Sequence, residues 1–98
     1  MQGYKVTDYL TQGELLAMLT EEAAELAQAA LKLRRALEGQ NPTPVGVKDA
    51  MANLDEEIAD VELCLEQIAL KDCDRIREIR NRKLARWLER LEESNDLS

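Results

Sequence analysis

Histidine and phenylalanine are absent, aromatic residues make up 3% of the 98 positions, and there are only four glycines and two prolines. Each shortage excludes something. Without histidine there is no serine–histidine or cysteine–histidine catalysis and no histidine metal site. The carboxylate bundles that hold di-iron centres through Glu-x-x-His motifs are excluded on the same ground. Few β-branched residues and few turn-formers leave little from which to build a sheet. The two cysteines, Cys64 and Cys73, form no C-x-x-C pair, which points to reduced thiols, a cytoplasmic setting and no zinc. No run of about 20 apolar residues is long enough to span a membrane, and the N-terminus lacks the apolar core of a signal peptide. Positive charge is also short. The net charge of −7 argues against nucleic acid as a partner.

What remains is Ala, Leu, Glu, Arg and Lys, the residues that lose least on entering a helix. The expectation is an all-α domain with three main helices, over about 12–38, 48–70 and 73–92. Thr11, with Glu14 three residues on, reads as a capping box for the first helix. Leu15, Leu19, Leu26, Ala29, Leu33 and Ala36 or Leu37 then recur at helical spacing. Gly39 is its stop, and Gly39–Gly46, with both prolines, is a loop. In the second helix the apolar face runs through Ala50 or Met51, Leu54, Ile58, Val61, Leu65 and Ile68. Asp72 or Asp74 caps the third helix, whose stripe is Ile76, Ile79, Leu84, Trp87, Leu88 and Leu91, and Glu92–Ser98 is a frayed tail. Helices this long in so short a chain bury little alone, so a homodimer or homotetramer is expected to complete the core.

Two acidic pairs break the apolar pattern. On the first helix, alternating steps of four and three carry the seam from Leu15 and Leu19 into Glu22 and on to Leu26, with Glu25 one turn along. On the second, the row Ala50, Leu54, Glu57, Val61, Cys64, Ile68 is interrupted by Glu57, with Asp60 at its edge. Carboxylates rarely occupy core positions uncompensated. Four facing one another need a cation, and oxygen-only ligands on rigid helices suit Mg²⁺, with Mn²⁺ as a substitute. Glu21 and Glu56 precede the seam acids and are either solvated or placed to orient a water. Lys83 lies four residues after Ile79, so it either turns inward or covers apolar surface with its stem. Trp87 is read as a packing residue rather than a base-stacking one.

The segments Thr20-Glu-Glu-Ala-Ala-Glu-Leu-Ala-Gln28 and Asp55-Glu-Glu-Ile-Ala-Asp-Val-Glu62 resemble the paired E-E-x-x-E-L and E-E-x-x-D-V motifs of the MazG-like family. Those proteins are all-α nucleoside triphosphate pyrophosphohydrolases. Arg82-Lys-Leu-Ala-Arg-Trp-Leu-Glu-Arg90 resembles the basic last helix of short members, with Trp87 where that segment often has asparagine. The likeness covers roughly residues 12–92. It implies a helical homo-oligomer and Mg²⁺-dependent cleavage of a nucleoside triphosphate between its α- and β-phosphates, giving monophosphate and pyrophosphate. The family's metal ligands fall on Glu22, Glu25, Glu57 and Asp60. In this scheme Glu21 or Glu56 orients the attacking water, and Lys83, with Arg86 or Arg90, holds leaving-group charge. The competing expectations are a non-catalytic helical assembly or adaptor protein and a degenerate member that binds nucleotide without turnover.

Overall fold

A computed structural model describes residues 5–39 and 46–97, with side chains to Asn95. The loop carrying Pro42 and Pro44 lies mostly outside the described residues. The order is a 3₁₀ turn at Val6–Asp8, then α1 (Gln12–Glu38), α2 (Val47–Gln67) and α3 (Cys73–Leu97). No strand occurs among the described residues, and no helix there is long and apolar enough to cross a membrane.

Local chemistry sets most of the boundaries. Thr11 Oγ1 accepts from Glu14 N, and Thr11 N donates to Glu14 Oε1, both at 3.0 Å. This reciprocal pair satisfies two backbone donors at the start of α1. Gly39 ends the helix at φ +67°, and its N–H donates to Arg35 O; that left-handed conformation favours glycine. Of the two aspartates proposed to cap α3, Asp72 does so, its Oδ1 accepting from Arg75 N at 3.1 Å.

Two boundaries differ from expectation. Helix α2 ends at Gln67, not Leu70, because other groups take over its last turn. Gln12 Nε2 donates to Gln67 O at 3.4 Å, and Gln12 Oε1 accepts from Ala69 N at 2.8 Å. Lys71 Nζ donates to Ile68 O at 2.7 Å. With these partners Ile68 adopts an extended conformation. Conversely α3 continues through the expected tail to Leu97. The segment from Glu92 onward contains neither glycine nor proline to stop it.

Helices α1 and α2 pack as an antiparallel hairpin, and α3 packs extensively against neither. The three-helix bundle expected from the sequence is therefore a two-helix hairpin with a projecting third helix. The radius of gyration is 18.2 Å and the extents are 61 × 39 × 18 Å. A compact chain of about 100 residues has a radius near 13 Å. The core is correspondingly thin: Leu15, Ala29, Ala50, Cys64 and Ile68 are the buried hydrophobic residues among those described. Of the alternatives Ala50 and Met51, Ala50 is buried and Met51 exposed; Cys64 is buried too, whereas Ile58 and Leu65, expected on the apolar face of α2, are exposed. The stripe of α3 is uncovered, with Trp87 63% exposed and Leu84, Leu88 and Leu91 at about half.

Candidate metal centre

The acidic residues lie midway along the hairpin, where the apolar rows of α1 and α2 meet. Glu22 occupies a seam position between Leu19 and Leu26, and Glu57 one between Leu54 and Val61. Both are half-buried, as their apolar neighbours are. Glu25 and Asp60 are each one turn C-terminal, at the exposed edge. Because the helices are antiparallel, the two motifs cross at the same level.

Glu22, Glu25 and Glu57 each bring one carboxylate oxygen within 4.8 Å of the other two. Asp60 is outside this trio but close enough for its charge to act on both Glu22 and Glu57. One oxygen of Glu22 (Oε2) and one of Glu57 (Oε2) are shielded from solvent with no hydrogen-bond partner. Such orphaned acceptors are uncommon in folded proteins, and each calls for an explanation.

Electrostatics agree with this geometry. Desolvation raises the Glu22 carboxyl above its ordinary value, followed by the charges of Glu25 and Asp60, close carboxyl pairing with Glu25, and the charge of Glu57. Glu57 is raised for similar reasons: desolvation first, then the charge of Glu25 and close pairing with it, then Asp60 and Glu56. Burial also pushes up the Cys64 thiol, helped by Glu22 and Asp60. Cys64 lies one turn after Asp60 and two after Glu57, a spacing that already puts it beside the acids. Both cysteines are free thiols.

Glu21 and Glu56 are exposed on the outer flanks, and of the two Glu56 has a charge that reaches the centre, through Glu57. Lys83 and Arg86 lie on α3, where with Ile79 and Arg82 they line a shallow cleft of about 320 Å³. Arg90 is exposed one turn beyond Arg86. Between Arg75 and Arg90 the chain carries seven cations and two acids. The ion pairs among the described residues are Arg34–Glu38 at 3.0 Å and Arg77–Asp74 at 3.7 Å, so neither joins α3 to the acidic trio.

The donor set is hard, anionic and oxygen-only, and its buried oxygens lack partners. Those properties fit a divalent cation such as Mg²⁺. No protein family, curated protein or solved structure matches the chain.

Proposed function

We propose that the chain is a Mg²⁺-dependent nucleoside triphosphate pyrophosphohydrolase that cleaves between the α- and β-phosphates and acts as a homo-oligomer. The observation that carries this reading is that Glu22 and Glu57 each have a shielded, partnerless oxygen and lie with Glu25 in one cluster of carboxylates. Nothing in the described chain neutralises them, and a divalent cation would.

Glu22, Glu25 and Glu57 would hold the ion, with Asp60 joining from the edge. A cation held there would neutralise triphosphate charge and acidify a nearby water. The protein's own groups supply the rest. Two rigid helices fix the ligand carboxylates and hence the position of the phosphates. Glu56, beside Glu57, or Glu21 would accept the proton of a water attacking the α-phosphorus in line, with pyrophosphate leaving. Glu21 occupies the matching flank of α1. Lys83, Arg86 and Arg90 supply charge for the leaving pyrophosphate.

Those cations sit on a helix that projects from the hairpin holding the acids. A second copy both covers the apolar stripe of α3 and brings a basic segment towards an acidic hairpin, which favours a homodimer or a higher symmetric assembly. The uncovered stripe also suits an assembly module without catalysis, and the two readings part on one assay. Nucleoside triphosphates incubated with Mg²⁺ or Mn²⁺ are scored for product. Monophosphate with pyrophosphate is the expected pair. Release of orthophosphate moves the cleavage site, and no release leaves the assembly reading or a chain that binds nucleotide without turnover.

A further inference from the structure

A second feature lies one to two helical turns from the acid centre, towards the end of the hairpin where α1 begins and α2 ends. Met18 precedes Glu22 by one helical turn, and Cys64 and Gln67 follow Asp60 by one and two turns. With Val6, Leu15 and Leu63 they enclose a cleft of about 220 Å³. Four residues of helix advance about 6 Å, so the cleft opens roughly that far from the carboxylates. Cys64 ties the two together: it lies in the cleft wall, and its thiol feels the charges of Glu22 and Asp60.

A ligand reaching from one to the other has a polyanionic end, carried by a bound cation, at the acids and an apolar end in the cleft. We propose that the cleft seats the base of the nucleotide whose phosphates meet the acid centre, an inference that rests on the pyrophosphohydrolase reading. Pockets for whole drug-sized ligands run to about 300–1,000 Å³. The smaller cleft therefore takes one ring system and leaves the sugar outside, on the way to the acids. Met18 and Leu63 present apolar, adaptable surface to a ring face. Gln67 carries the one side-chain amide in the lining, offering both a donor and an acceptor to a ring edge. An apolar face of a second copy is a poorer occupant, because it would strip more water from carboxylates that already lack partners.

Met18→Trp and Leu63→Trp fill the cleft, and both side chains are exposed enough to leave the fold intact. Binding is measured in Mg²⁺ for an α,β-methylene nucleoside triphosphate and for inorganic tripolyphosphate. The wild-type chain is expected to bind the nucleotide at least tenfold more tightly, an advantage of about 1.4 kcal/mol. Each variant should lose that advantage while holding tripolyphosphate as before. Gln67→Leu should reorder the preference among bases. Equal affinities in the wild type, or an advantage that survives both tryptophans, overturn the proposal. So does loss of self-association in Leu63→Trp with nucleotide binding intact, which gives the cleft to a second copy. A wild-type chain that binds neither Mg²⁺ nor tripolyphosphate defeats the pyrophosphohydrolase reading, and the cleft assignment falls with it.

Discussion

Trp87→Ala removes the largest apolar side chain from the uncovered stripe of α3. A buried aromatic side chain covers about 150–250 Å², and Trp87 is 63% exposed. Roughly 95–160 Å² is therefore available for a second copy to bury. At about 25 cal/mol per Å² that amounts to about 2.5–4 kcal/mol per copy. A twofold interface contains the residue twice. Realising only half of the combined figure still weakens the dimer by about fiftyfold or more. Sedimentation over a range of concentrations reads this directly. The wild type should associate, and the variant should need about fiftyfold more protein or beyond to do so, with its helical content unchanged. A wild type that stays monomeric into the millimolar range refutes the reasoning, as does a variant with unaltered association.

Other consequences concern the acids and the caps. The folded-state pKa values of Glu22 and Glu57 are raised. Their contribution to stability is thus complete below the unfolded value of about 4.5 and is lost as pH rises through the folded values. In urea titrations without metal, the wild type should lose stability relative to the Glu22→Gln/Glu57→Gln double variant as pH climbs above about 4.5. A constant difference across pH would contradict the desolvated pair. Glu14 behaves oppositely: its hydrogen bonds with Thr11 lower its pKa, so its contribution is present above about 4.5 and is lost as pH falls through the folded value. Thr11→Ala should cost about 1 kcal/mol, seen as a drop of about 4–8 °C in melting temperature at fixed protein concentration. Gly39→Ala forces a Cβ into the left-handed region at φ +67° and should cost about 1–2 kcal/mol by the same measurement.

The helices were legible because their signals are local, although their arrangement as a hairpin with a projecting α3 was not. The Thr11–Glu14 box, the Gly39 stop and the steps of three and four through Glu22 and Glu57 all act within a few residues. On α2 the spacing placed Ile58 and Leu65 on the apolar face, and only packing against α1 shows that they are exposed while Ala50 and Cys64 are buried. The early end of α2 was not legible, since it depends on Gln12, 55 and 57 residues away from the backbone groups it binds. The stripe on α3 announced an apolar face but not its occupant. Periodicity reports that a face needs covering, and the hairpin of the same chain does not cover it. The acids were legible as interruptions of a seam, and so was the expectation that they meet. Which of them meet was not: Glu22, Glu25 and Glu57 come together while Asp60 stays outside the trio, because that depends on the level at which two antiparallel helices cross.

Everything functional depends on the hairpin acids taking up a divalent cation. Melting temperatures of the wild type and of Glu57→Gln, compared with and without Mg²⁺ at fixed pH and protein concentration, test that most directly. At ten times the dissociation constant, an ion that binds only the folded chain adds about 1.4 kcal/mol, a rise of several degrees for a domain of this size. The wild type should show that rise, and Glu57→Gln should melt higher than the wild type without metal and respond little to it. A wild type whose melting temperature ignores both Mg²⁺ and Mn²⁺ would contradict the account.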